Sequence, residues 1–303
     1  MSKMAVIFPG QGSQYEGMGK DLFDNFHEAK ALFDKADSIL GQDISSVCFS
    51  GSDLKLKDTL YQQLAIFLVS SVNFQILKSK KDIQPLFYAG LSLGEYTALY
   101  AGGVLSFQDA LVLVKKRAEF MAQAARNNPS CMYAVLGVNS EDLEEGNSGL
   151  FYIANLNCPG QVVISLDADK KEAVRQYFEV KQAKRIVELE VSGGFHSPFM
   201  KEAEANLREV AYSLNFRDAE IPIVSNVDAV AYRDKDQIRK SLIEQLTKPV
   251  LWAKSVEYMR KEGVTLFYEV GPSKVLKGIL RKIDSTLKVV NFGSMQDFES
   301  ALV

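Results

Sequence analysis

The sequence predicts an α/β protein: one large, mostly parallel sheet, with a small β-α-β-β-α-β unit inserted into it. Three observations carry this. In both outer parts of the chain, short apolar runs ending in Gly or Pro alternate with stretches of helical spacing, the pattern of strands joined by crossover helices. Between them, from about 127 to 192, the strands are closer together and two are joined by a tight turn. The 303 residues, 47% hydrophobic and 24% charged, are enough for a sizeable core and far from a disordered composition.

Each element follows from its local pattern. Met4 to Phe8 is a buried strand that ends at Pro9-Gly10. Glu28 to Leu40 and Tyr61 to Lys78 have helical spacing. Leu86 to Ala89 is a second buried strand, running through Gly90 into a helix over Glu95 to Ala101. Ser106 is the N-cap expected for a long amphipathic helix to Ala125. In the middle section, Met132 to Val138 is a strand and Ser140 to Glu145 a short helix capped by Ser140. Phe151 to Leu156 and Gln161 to Leu166 are strands joined by Asn157-Cys158-Pro159-Gly160. A helix over Asp169 to Phe178 and a strand over Arg185 to Val191 complete a ferredoxin-like order. The domains expected are therefore a large one made of 1–126 and 193–303, and a small one over 127–192. The large unit resumes with a helix from about Pro198, a strand over Ile221 to Ser225 and helices near Gln237 and Ser255. A strand over Leu266 to Val270, a helix from Lys274 and a strand near Val289 close it.

Charge and cysteines exclude several classes. A net charge of −3 gives no electrostatic case for nucleic acid or an anionic membrane. Apolar stretches are cut by polar residues before membrane-spanning length, and no signal peptide is expected. Cys48, Cys131 and Cys158 lack metal-ligand spacing and are expected as reduced thiols of a cytoplasmic protein. With only two histidines and no Cys/His cluster, no metal site is expected.

The chemistry centres on Gly90-Leu91-Ser92-Leu93-Gly94. A strand, a Gly-x-Ser-x-Gly turn and a helix make a nucleophile elbow, as in α/β-hydrolase-like cores. The following helix aims N–H groups and its dipole at developing negative charge. A serine hydroxyl needs a base. His27 lies at a helix junction and reads as a surface or capping residue, whereas His196, in Gly193-Gly194-Phe195-His196-Ser197-Pro198, sits in a loop after a strand. His196 is the expected base. An ordinary α/β-hydrolase fits poorly, because about a hundred residues follow His196 and no His-Gly-Gly-Gly motif precedes the serine.

From Phe8 to about Leu280 the chain resembles the malonyl-CoA:acyl carrier protein transacylases. The resemblance rests on Pro9-Gly10-Gln11-Gly12-Ser13-Gln14, the Ser92 elbow, Arg117, the His196 loop, Gln245 ahead of Pro249-Val250-Leu251-Trp252, and Gly271-Pro272. It implies an [acyl-carrier-protein] S-malonyltransferase of fatty acid biosynthesis that carries malonyl on Ser92. Ser92, His196 and Gln245 would be the catalytic set, with a carbonyl orienting the histidine. Gln11 and the Leu93 N–H would form the oxyanion hole. Arg117 would grip the malonyl carboxylate, and Gln63 would lie near the acyl site. Asn155, Asn157 and Gln161 would be structural or line the cleft. Malonyl-CoA and acyl carrier protein are the implied partners, with malonyl-CoA as substrate, no separate cofactor, and a monomer expected. Leu91 departs from the family's usual His, and Phe195 matches a malonyl-selective pattern. A discrete acyltransferase serving a polyketide synthase, an acyl-thioester hydrolase and a non-catalytic carrier-binding module are the alternatives.

Overall fold

The computed structural model describes residues 3–51, 53–138, 140–143 and 149–302. Its strands are, in chain order, β1 (Lys3–Phe8), β2 (Phe87–Gly90), β3 (Ser130–Leu136), β4 (Tyr152–Cys158), β5 (Gln161–Asp167), β6 (Arg185–Glu188), β7 (Ile223–Val224), β8 (Ala231–Tyr232), β9 (Val264–Val270) and β10 (Lys288–Phe292). They form two sheets. The larger has the order β10-β9-β1-β2-β7-β8 and is parallel except for the edge pair β7/β8. The smaller, β4-β5-β3-β6, is antiparallel throughout. Numbered within the small unit, that is the 2-3-1-4 order of a ferredoxin-like sheet.

The central strands of the large sheet are buried on both faces, which is why Ala5 to Phe8 and Phe87 to Gly90 read as unbroken apolar runs rather than alternating ones. Helix Thr59–Lys80 packs among the core helices. Asp58 caps it, accepting from Leu60 N at 2.9 Å and Tyr61 N at 3.3 Å. This helix corrects the sequence reading. By length and composition it is apolar enough to span a bilayer, but 83% of its most apolar window is buried inside the protein. Helix Phe107–Asn127 starts at the expected cap: Ser106 Oγ accepts from Asp109 N at 3.1 Å.

Several local readings shift. The predicted strand over Ile221 to Ser225 pairs only at Ile223–Val224, and the one expected to reach Val191 ends at Glu188. Ser140–Leu143 is a 3-10 turn rather than a capped helix, and the rest of that predicted helix lies outside the described residues. The helix expected from Pro198 begins as a 3-10 turn and continues as Lys201–Ser213. Helices Lys20–Asn25, Ile44–Ser50, Asp53–Lys57 and Met295–Leu302 were not predicted. Each is eight residues or fewer, too short for a 3.6-residue period to stand out.

The two sheets are stitched together beside the site. Asn155 forms an isolated parallel bridge with Val250, with Leu156 N donating to Val250 O at 2.9 Å and Val250 N to Ala154 O at 2.8 Å. Ser165 Oγ of β5 donates to Phe195 O at 2.6 Å, tying the small sheet to the His196 loop.

Candidate active site

The site lies where the parallel strands β1 and β2 end, the edge at which open α/β sheets bind ligands. Their register pairs Phe8 with Gly90, so the Pro9-Gly10-Gln11 turn and the Ser92 elbow leave the sheet side by side. Glycine is required at the crossing. A Cβ on Gly90 would lie 1.9 Å from Gly94 C, and one on Gly94 would lie 2.1 Å from Phe8 O. The bend itself falls on Ser92, whose φ of 51° is a left-handed conformation costly for a side-chain-bearing residue. His196 has the same conformation, with φ 55°. Both strained residues face one another: Ser92 Oγ lies 2.8 Å from His196 Nε2.

The imidazole is held from its other side. His196 Nδ1 donates to the backbone carbonyl of Gln245 at 2.7 Å, leaving Nε2 as the acceptor toward serine. The orienting carbonyl is therefore the main chain of Gln245. Its side chain does something else: Nε2 donates to Ser92 O at 3.1 Å and Oε1 accepts from Arg117 Nη2 at 3.2 Å. Burial, and then the like charge of Arg117, hold the His196 ring down to about 4, although the Gln245 carbonyl pulls the other way. The ring is neutral at neutral pH and free to take a proton.

Arg117 is fully buried. Its Nη1 donates to Gln63 Oε1 at 2.6 Å and its Nη2 to Ser92 Oγ at 3.0 Å. The guanidinium also lies over the Tyr96 ring, 5.1 Å from its centroid. Among the described residues, no carboxylate forms an ion pair with it, and its Nε has no partner. A buried cation with no carboxylate in direct contact, linked to Glu95 only through the Gln245 amide, is costly to maintain. Beside Lys115 and Lys116, Arg117 reads in the sequence as part of a solvated face, and only the resemblance singles it out; in the structure it lies with Val114, Ala118 and Met121 on the buried i, i+3, i+4, i+7 stripe of the helix. Gln63, fully buried, holds Arg117 and does not line the cavity.

A cavity of about 130 Å³ opens on Ser92 and His196, lined also by Gly10, Gln11, Leu91, Asn155, Asn157 and Phe195. Leu91, where a polar group was expected from the resemblance, supplies an apolar wall. Asn155 and Asn157 face this cavity, while Gln161 points elsewhere and accepts from Lys282 Nζ at 3.2 Å. Gln11 Nε2 donates to Gln62 Oε1. The Leu93 N–H makes no hydrogen bond among the described residues. His27 is exposed and remote in role, the first residue of helix His27–Leu40. The three cysteines are buried and free, and burial pushes their thiols up.

Ser92, His196 and Arg117 thus meet at the end of the parallel strands, and comparison with known proteins gives the family. Residues 6–298 match the acyl transferase domain family. The chain is 44% identical over 310 residues, all of it and 97% of the relative, to the malonyl CoA-acyl carrier protein transacylase of Bacillus subtilis. The chain belongs to the malonyl CoA-acyl carrier protein transacylase family. The transacylase of Staphylococcus aureus is 38% identical over 98% of this chain and 97% of its own length. Among solved structures, an acyl carrier protein S-malonyltransferase from Vibrio cholerae superposes with a TM-score of 0.94 at 36% identity over 99% of both chains. A malonyl-transacylase in complex with a type II polyketide acyl-carrier protein gives 0.95 at 33% identity, again over 99% of both chains. Membership in this transacylase family agrees with the mixed fold of a parallel-rich sheet and a separate antiparallel one.

Two buried residues at the site were missed by sequence reasoning, Glu95 and Asn226. Asn226 Oδ1 accepts from Ser92 N at 2.7 Å. Glu95 had a signal, since it is the one acid in the apolar segment Gly94 to Ala101, whose other members are nearly all buried. Asn226 had none: it follows a two-residue strand and meets the elbow only through the fold.

Proposed function

We propose that the protein transfers malonyl from malonyl-CoA to the phosphopantetheine thiol of an acyl carrier protein, through a malonyl ester on Ser92. The observation that carries this is the unpaired, fully buried Arg117 guanidinium 3.0 Å from the nucleophilic Oγ. A planar guanidinium matches a carboxylate with two parallel hydrogen bonds, and malonyl carries a free carboxylate next to the carbonyl that is attacked.

The steps follow from the geometry. His196 Nε2 takes the Ser92 Oγ proton as Oγ attacks the thioester carbonyl, forming a tetrahedral oxyanion. The free Leu93 N–H, at the start of helix Gly94–Ala101, and Gln11 are the donors for that oxyanion. The C–S bond breaks, and coenzyme A leaves as a thiol with the proton from His196. The carrier thiol then gives its proton to His196 and attacks the seryl ester; the ester C–O bond breaks, and Ser92 Oγ takes the proton back from His196. The Gln245 backbone carbonyl keeps the imidazole in the tautomer that both half-reactions use, as an uncharged substitute for the usual Asp. A cytoplasmic setting, in fatty acid biosynthesis, suits the free buried cysteines.

The test is intact mass measurement after mixing with malonyl-CoA, beside Ser92→Ala. A malonyl adduct on the parent protein alone, discharged by holo acyl carrier protein, is the expected result. Release of malonate without an acceptor would instead identify a hydrolase. The fold's likeness to a transacylase bound to a polyketide carrier favours one second reading, in which the acceptor is such a carrier. Discharge by a panel of fatty acid and polyketide carriers separates the two.

A further inference from the structure

Glu95 is a fully buried carboxyl that the steps above do not use. It lies in the first turn of the helix that follows Ser92. Its Oε2 accepts from Gln245 Nε2 at 2.7 Å and from Asn226 N at 3.3 Å. Asn226 in turn spans the elbow: Oδ1 accepts from Ser92 N, and Nδ2 donates to Gly90 O at 2.7 Å. Ser92 N–H is thereby occupied, whereas the next N–H, that of Leu93, has no hydrogen-bond partner among the described residues.

The polarity of the Gln245 amide is the key. All three contacts of its NH₂ group, Glu95 Oε2, Ser92 O and, at 3.5 Å, Asn226 Oδ1, are acceptors. With the nitrogen committed there, Oε1 must face the Arg117 Nη2 donor. The reverse orientation would set oxygen against the Glu95 carboxyl and N–H against a guanidinium, two repulsive contacts in a dry interior. We infer that Glu95 is a positioning residue: as an acceptor it fixes the Gln245 amide, the amide fixes the Arg117 guanidinium over Ser92, and the enzyme's preference for a carboxylate-bearing acyl group depends on that chain. This rests on the reading of Arg117 as the carboxylate receptor. The carboxyl is well placed for the task. Burial pushes it up to about 7, opposed by its bonds to Gln245 and Asn226 and by Arg117, and in either protonation state Oε2 can accept.

The test measures Ser92 loading from malonyl-CoA and from acetyl-CoA in four proteins: parent, Glu95→Leu, Glu95→Gln and Gln245→Met. Leu fills similar space without an acceptor, Gln keeps an acceptor oxygen, and Met keeps the Gln245 backbone carbonyl that His196 needs. Expected are a fall of about tenfold or more in malonyl loading for Glu95→Leu, a smaller fall for acetyl, and near-parent discrimination for Glu95→Gln. Should Glu95→Leu fail to fold, Gln245→Met carries the same expectation, because it removes the link itself. The double variant Glu95→Leu/Arg117→Met should discriminate no worse than Arg117→Met alone. Equal losses for both substrates in Glu95→Leu and Gln245→Met would overturn the inference, as would a Glu95→Gln protein as unselective as Glu95→Leu. If Arg117→Met alone leaves discrimination unchanged, the carboxylate reading falls and this inference with it. If Arg117→Met behaves as expected and Glu95→Leu costs as much in its background, only this inference falls.

Discussion

Replacing Arg117 with Met should turn a malonyl-selective site into a nearly indifferent one. Met is apolar and unbranched, so it fills much of the buried channel without a charge. In the parent, Arg117 stands behind Ser92 rather than in the wall of the 130 Å³ cavity, but its Nη2 reaches Ser92 Oγ at 3.0 Å, so the carboxylate of a malonyl group on Ser92 would meet the guanidinium. Without it, that carboxylate is desolvated and unpaired, which costs about 3–5 kcal/mol. At about 1.4 kcal/mol per tenfold, kcat/KM for malonyl-CoA should fall roughly 10²- to 10⁴-fold. Acetyl-CoA has no carboxylate to strand. Its loss is one hydrogen bond from a charged group to Oγ, about 1.5–3 kcal/mol. That is opposed by removing a cation which acetyl leaves buried and unpaired. The acetyl rate should therefore stay within about tenfold of the parent. The assay is transfer to holo acyl carrier protein from each donor at matched concentrations, with the Ser92 adduct followed by mass. Equal losses with both donors would refute the assignment of the carboxylate to Arg117.

Other outcomes follow from the same geometry. With only two histidines, an NMR titration after His27→Gln isolates the His196 ring. It should stay neutral down to about pH 4, and in Arg117→Met the midpoint should rise, because a like charge that favours the neutral ring is gone. A midpoint in the ordinary range in the parent would contradict the dry, cationic site. Gly90→Ala should destabilise by about 3 kcal/mol or more in a denaturant melt, because its Cβ meets main-chain atoms that cannot step aside. Ser165→Ala removes the bond to Phe195 O, and should lower stability by about 1 kcal/mol while slowing acylation more than such a loss explains. Phe195→Ser should raise methylmalonyl loading relative to malonyl by roughly 10- to 100-fold, read by competition between the two thioesters.

Much of the architecture was legible because it is written in short-range patterns. Periods of two or 3.6, the cap at Ser106, and the Asn157 to Gly160 turn each act within a few residues, so they survive being read along a line. The elbow belongs to this class, since Gly90 and Gly94 are needed by backbone contacts that the strand–turn–helix motif itself creates. Histidine choice was legible by scarcity, with His27 and His196 the only two. What the tertiary structure alone decided is which atoms face one another. It put the Gln245 main chain rather than its amide against His196, and turned Gln63 toward Arg117 instead of the cavity. It also brought Asn226 to the Ser92 N–H from 134 residues away. Such contacts depend on the register of β1 with β2 and on the bridge between Asn155 and Val250, and so on many weak packing choices made together. A residue's type can be read in isolation, but its hydrogen-bond partner in a dry interior is set by whatever the folded chain leaves unsatisfied beside it.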